Sequence, residues 1–426
     1  MPLTHVGRQI NPQDGEKKTE SHSQIRALVL YANYASYAKE ISYLDDWLEA
    51  FAADSEWQCQ EVDIAQRSSA NLVREEMAKA NVIVLLHSTN ADSLFHLNKL
   101  LPLLRKRTIP IVAFIGNEVN LPSALIGDKR NIMQELEAEV IATQLPIEAG
   151  NFLWSDIAKI GVIALPHALN PRIFRFETPH SSRVLDVGIR GIRYGSYLGD
   201  NDRNQLMDAV NALPRSSDLR VDVSTSRFNR LGWSGYLNST RTTFSSEAGS
   251  WFLEKDDQTL RLALAKLSSV PGRKRVITPS LRISHLYQNL PGPLRQTTKR
   301  IIQSVGLQSS SSGVEDLFLS QELGASPERV KPDVYSKCIS SRHFDAIGTG
   351  TTQILLEGRY NGILTAGEHY IELKSDYSNW SSTIELLKEH NEVENIAHRA
   401  LEHVLAQHTY RHRIQELGKF IDDSLI

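Results

Sequence analysis

The chain of 426 residues has two cysteines, Cys59 and Cys338, and they stand far apart. That excludes a disulfide framework and fits a reducing compartment. Long apolar runs are missing too: the stretch around Ile109 to Gly116 is among the longest, and a membrane-spanning helix needs ~20 residues. Met1 to Gln24 is polar and has no apolar centre of the kind a signal peptide carries, so residues 1–24 read as a disordered tail. No strong charge of one sign is present either. A net charge of -3 supplies no field for nucleic acid. No His or Cys cluster has metal-ligand spacing, no Asp-x-Asp reads as lying on a strand-end loop, and the adjacent pairs Asp256-Asp257 and Asp422-Asp423 sit in polar segments. We therefore expect a cytoplasmic protein with no metal site and no nucleic-acid partner.

What is present is an alternation. Ile25-Arg-Ala-Leu-Val-Leu-Tyr-Ala reads as a buried strand, followed by a helix from about Tyr43 to Ala53 and a strand from Trp57 to Ile64. Helices near 70–79, 94–106 and 131–138 then alternate with strands near 82–87, 109–115, 140–144 and 160–165. Strands that are apolar throughout imply a parallel sheet covered on both faces. The proline-marked phrase Leu165-Pro-His-Ala-Leu-Asn-Pro-Arg-Ile-Phe is the expected domain join, after which the alternation restarts at Arg183-Val-Leu-Asp-Val-Gly. This gives an α/β fold of two Rossmann-like domains, 25–170 and 171–407, with a terminal helix over 408–426.

From Gln258 to Val314 the chain changes character, with nine Lys or Arg and no Asp or Glu in 57 residues. We read 258–336 as a basic insertion with irregular ends. As a solvated loop it needs no partner. As a patch it suits an anionic membrane surface at the inner face of the membrane, where each basic residue adds ~1 kcal/mol.

The most informative stretch begins at Cys338 with Cys-Ile-Ser-Ser-Arg-His-Phe-Asp-Ala-Ile-Gly-Thr-Gly and ends near Ser378. Ser340 and Ser341 cap a short helix that Gly348 and Gly350 stop, ahead of an apolar strand from Gln353 to Leu356. A capped helix start offers free N–H groups and partial positive charge to a phosphate. Arg342 in its first turn adds a forked donor, His343 stands beside it, and Asp345 suits ribose or sugar hydroxyls. After the first strand of the second domain, Gly188, Arg190, Gly191 and Arg193 form a small-residue loop suited to a pyrophosphate. Glu247 and Glu357 follow later strands and suit donor sugar hydroxyls.

The stretch also resembles the donor-binding half of glycosyltransferases with the two-Rossmann-domain B fold, close to the spore maturation protein B-like group. Phe344-Asp345-Ala346-Ile347-Gly348 corresponds to that family's Phe-Glu-Ala pattern, and His408-Thr-Tyr-Arg-His-Arg looks like its terminal crossover helix. The sequence departs from the pattern twice: Asp345 stands where the family has Glu, and Lys337, eight positions earlier, stands where many retaining members have a second Glu. The resemblance implies a cleft between the domains, an acceptor in the first and a nucleoside-diphosphate-sugar in the second. An inverting reaction would need a base in the first domain, for which His87 and Glu118 stand at strand ends; Tyr34, Ser36 and Tyr37 are acceptor contacts on the same reasoning. The expected activity is metal-independent transfer of a hexose-type sugar to a saccharide, lipid-linked or protein hydroxyl, with no cofactor beyond the donor. A sugar-nucleotide epimerase, or an inactive scaffold that keeps the fold, remains the alternative.

Overall fold

The structure is a computed structural model that describes residues 24–33, 42–213, 219–269 and 334–425. The expected tail, Tyr34, Ser36, Tyr37 and most of the basic insertion lie outside those residues.

Two parallel sheets organise the chain. The first has the order β2-β1-β3-β4-β5-β6, built from β1 (Ile25–Tyr31), β2 (Trp57–Asp63), β3 (Val82–Leu85), β4 (Ile111–Phe114), β5 (Val140–Thr143) and β6 (Gly161–Ala164). Along β1, Leu28 and Leu30 enter one apolar cluster while Ala27 and Val29 enter another. Both faces are therefore buried, which is why the strand reads as a continuous apolar run. Helices α1 (Ser42–Ala53), α2 (Ser69–Met77), α3 (Phe95–Leu104), α4 (Ile126–Glu135) and α5 (Ile147–Trp154) cover it.

The second sheet has the order β13-β12-β9-β7-β8, from β7 (Leu185–Arg190), β8 (Val221–Ser224), β9 (Thr240–Ser245), β12 (Thr352–Leu356) and β13 (Ile371–Leu373). Around it pack α6 (Asp202–Asn211), α7 (Arg230–Asn238), α9 (Ser341–Gly348), α10 (Trp380–Leu386) and α11 (His390–Gln407). A short antiparallel pair, β10 (Ala248–Gly249) with β11 (Lys337–Cys338), lies beside it. Two parallel sheets, each flanked by helices, are the two-Rossmann architecture expected from the sequence.

The terminal helix α12 (Tyr410–Ser424) returns to the first sheet. Its Tyr410, Ile414, Leu417 and Ile421 share a cluster with Ile25, Trp47 and Phe51. Among the described residues no helix is long and apolar enough to cross a membrane.

Two expectations need correction. The helix placed near 131–138 starts earlier, at Ile126, because its cap comes from the other half of the chain. Asp257 accepts from the Ile126 and Gly127 N–H groups at 3.1 and 2.7 Å, a remote N-cap that no local pattern reveals. The basic insertion opens on a regular helix, α8 (Gln258–Ser269), rather than on an irregular end. Asn120, bonded to Ser250 and Phe252, and Asp128, paired with Arg261 at 2.9 Å, hold the same 250–261 segment on the first domain. The halves therefore meet at more than the proline-marked join.

At that join α9 packs tightly. A Cβ on Gly348 would lie 2.4 Å from Leu169 Cδ1 and 2.5 Å from the Phe174 carbonyl oxygen. Gly348→Ala is expected to cost about 1–3 kcal/mol, seen as a lower urea midpoint; an unchanged midpoint would show that the join yields easily.

Candidate functional site

Ser340 is the N-cap of α9, with extended backbone, and His343 completes a reciprocal cap: its Nδ1 accepts the Ser340 N–H at 3.0 Å. His343 is thus spent on the helix start. Burial pushes its pKa down to about 3, so it stays neutral. One turn of helix presents Arg342 on a different face. Its Nη1 donates to the Arg190 carbonyl at 3.0 Å, across the end of β7. Burial, with Arg203 nearby, lowers its pKa to about 10, and it remains a cation at neutral pH.

Under this contact lies a cavity of about 30 Å³, lined in part by Gly191, Arg203, Ser246, Arg342 and Gln353. A Cβ on Gly191 would come within 2.8 Å of Arg342 Nη1, so a larger residue there would shift the guanidinium. Among the described residues, neither Arg203 nor Arg342 has a carboxylate within ion-pair distance. Ser246 Oγ and Gln353 Nε2 are buried with no hydrogen-bond partner among those residues. Around one cavity, among the described residues, two guanidiniums without ion-pair partners and two polar atoms without hydrogen-bond partners form an arrangement that an anionic, hydrogen-bonding ligand would complete.

The other expected residues divide. Asp345 is buried, and its Oδ2 accepts from Trp233 Nε1 at 3.0 Å and from Ser42 Oγ at 3.4 Å. Burial, with Asp46 nearby, holds its pKa well above the usual carboxylate range. It therefore sits where α9, α7 and the first domain's α1 meet. Arg190 lines the cavity but is turned to Asp222 at 2.7 Å and Ser226 at 2.6 Å. Arg193 is paired with Asp208 at the surface. Glu247 is buried and accepts from the Tyr360 and Arg359 N–H groups at 2.7 and 3.3 Å and from the Tyr335 hydroxyl. Glu357 is exposed and held by Ser375 at 3.0 Å and Lys374 at 3.7 Å.

In the first domain, Glu118 is engaged on both oxygens, by Thr143 Oγ1 at 2.7 Å, Trp154 Nε1 at 2.7 Å and the Gln144 N–H at 2.9 Å. Its carboxylate braces the ends of β4 and β5 rather than facing open space. His87 begins a short turn after β3 and is 1% exposed among Trp47, Phe114 and His167. It lines a cavity of about 50 Å³ with Tyr43 and Asp45, and its Nε2 has no partner among the described residues. Burial, with His167 nearby, holds its pKa well below the usual value, so the imidazole is neutral.

The sequence reasoning missed three residues. Arg203 sits in the first turn of a polar helix, Ser246 follows β9, and Gln353 is the lone amide in a buried strand that is apolar from Ile354 on. Only the amide in an apolar run is a local signal. An Asp-x-Asp was also passed over: Asp200-Asn201-Asp202 runs from the segment after β7 into the first residue of α6, with Lys337 between the carboxylates. Among the described residues, no group of three His, Cys, Asp or Glu side chains is placed to hold a metal.

Comparisons with known proteins bear on this region. Residues 323–419 match the family described as Glycosyl transferase-like. No curated protein matches. Among solved structures, sucrose-phosphate synthase from Thermosynechococcus elongatus is similar at 10% identity and TM-score 0.46, over 94% of this chain and 98% of that one. Anabaena HepE in complex with UDP-glucose is similar at 9% identity and TM-score 0.47, over 94% and 100%. A glycosyltransferase from Rickettsia africae ESF-5 gives 9% identity and TM-score 0.44, over 94% and 98%. The match over 323–419, which contains α9 with its Arg342, makes that part of the second Rossmann-like domain similar to glycosyl transferase-like proteins.

Proposed function

We propose that the chain transfers a hexose-type sugar from a nucleoside diphosphate to a hydroxyl on a saccharide, lipid-linked or protein acceptor. The observation that carries this reading is the cavity at the start of α9, where Arg342 and Arg203 stand without carboxylate partners among the described residues. As the sugar leaves, charge grows on the diphosphate, and fixed cations in a water-poor site lower the barrier without needing to reorganise. Arg342 at a helix start supplies both guanidinium and N–H groups for that charge. The acceptor approaches from the first domain, where neutral His87 is the better placed base because both oxygens of Glu118 are engaged. Transfer proceeds without a metal or other cofactor, in the cytoplasm. The basic 258–314 segment meets an anionic membrane surface there if the acceptor is lipid-linked.

Donor consumption tests this. With acceptor supplied, the donor is expected to disappear as glycosylated product forms, at equal rate with EDTA or magnesium. Isomerised donor without acceptor would instead establish an epimerase, and intact donor under every condition an inactive binding protein.

A further inference from the structure

Lys337 is the least expected residue near the cavity, a lysine 1% exposed at the end of β11. Its ammonium lies 2.6 Å from Asp200 Oδ2 and 3.2 Å from Asp202 Oδ2, over the Trp251 ring at 5.0 Å. Asp200 Oδ1 accepts the Asp202 N–H at 3.0 Å, and Trp251 Nε1 donates to Asp202 Oδ2 at 3.2 Å. This cluster fixes the first turn of α6, which starts at Asp202. The next residue along is Arg203, in the cavity wall. Burial works against the ammonium, but the two carboxylates outweigh it and keep the Lys337 pKa above its usual value.

The charges decide what Lys337 does. Asp200 and Asp202 lie just before Arg203 in sequence, and without Lys337 their two formal charges would cancel those of Arg203 and Arg342. With Lys337 taking both, the group keeps one positive charge in excess.

We propose that Lys337 is a positioning residue, a built-in cation that binds Asp200 and Asp202 and so leaves Arg203 and Arg342 free to meet the anionic part of a nucleoside diphosphate. The inference rests on the reading of the cavity given above. Lys337 holds a place between two carboxylates that a divalent ion would otherwise suit, since hard cations take carboxylate oxygens at 2.0–2.6 Å. It does so without loading or exchange.

The test uses inorganic pyrophosphate and manganese(II) as probes on the full chain. Lys337→Ala is expected to bind pyrophosphate about tenfold more weakly than wild type in EDTA, since the surplus charge is lost. It is also expected to gain a manganese site that wild type lacks, read by manganese electron paramagnetic resonance without pyrophosphate. Manganese should then restore pyrophosphate binding to within about threefold of wild type. A lysine with a merely structural role would not yield that rescue. Lys337→Met/Asp200→Asn, which has the wild-type formal charge and leaves no unpaired Asp200 carboxylate, separates folding from charge; it should bind pyrophosphate like wild type and ignore manganese. Unchanged pyrophosphate binding by Lys337→Ala, no manganese gain, or a large loss in the double variant would each overturn the inference. Failure of wild type to bind pyrophosphate or any nucleoside diphosphate would overturn the proposed function instead, and the manganese gain would still decide the role of Lys337.

Discussion

Replacing Arg342 by alanine is expected to raise the dissociation constant for the donor nucleotide by about ten- to a hundredfold, with little change in the unfolding midpoint. A hydrogen bond to a charged group contributes about 1.5–3 kcal/mol, and a bidentate guanidinium on a diphosphate lies at the upper end. The asymmetry between binding and stability follows from the geometry. Among the described residues Arg342 makes one hydrogen bond, to the Arg190 carbonyl at 3.0 Å, and no ion pair. Alanine removes one neutral contact and relieves the burial of a charge, so the fold loses little while the ligand loses its principal cation. Titration calorimetry beside thermal melting measures both. Equal donor affinity in wild type and variant would remove Arg342 from the site, and a collapse in stability would assign it to the fold.

Arg230→Ala is expected to have the opposite character, with a loss of stability of about 3–5 kcal/mol at pH 7.5. Arg230 on α7 pairs with Asp46 and Glu49 on α1, donating to Glu49 Oε2 at 2.9 Å, and Asn170 Nδ2 reaches the same two carboxylates at 2.7 and 2.8 Å. This network ties the domains together beside Asp345. Removing the guanidinium strands Asp46, which is 1% exposed. The cost also depends on pH. Burial outweighs Arg230 and holds the Asp46 pKa at about 6, above the ordinary 3.8, so the folded protein keeps a proton there that the unfolded chain has released. The stability that proton contributes is complete below about pH 4 and is lost as pH rises through about 6, a change of about 3 kcal/mol. The Arg230→Ala penalty should therefore be smaller at pH 5 than at pH 7.5, because the stranded carboxyl is protonated at the lower pH. Urea melts at both values check this. A penalty that grows on acidification would mean that Asp46 is a stable anion held mainly by Arg230.

These contrasts show what the sequence could and could not reveal. Apolar strands buried on both faces and a serine-capped helix start are local patterns, and they located both sheets and α9. Pairing across the fold is not local. Arg190 looked like a phosphate ligand, but the parallel register sets Gly188 of β7 beside Asp222 of β8, and Arg190 closes on that aspartate at 2.7 Å. Glu118 looked like a strand-end base until Trp154, 36 residues further on, met its carboxylate. Arg203 gave no signal, because an arginine in the first turn of a polar helix is unremarkable until α9 brings Arg342 beside it. The start of α4 was misplaced for the same reason, its cap being supplied by Asp257 from 130 residues away.

The most direct measurement is a titration of the wild-type chain with UDP-, GDP-, ADP-, dTDP- and CMP-linked sugars, in EDTA and again in magnesium. The account predicts that one nucleotide class binds, raises the melting temperature by mass action, and does so equally with and without the metal. Binding that appears only with magnesium would contradict the role given to the arginines. No binding by any of the five would contradict the donor site itself.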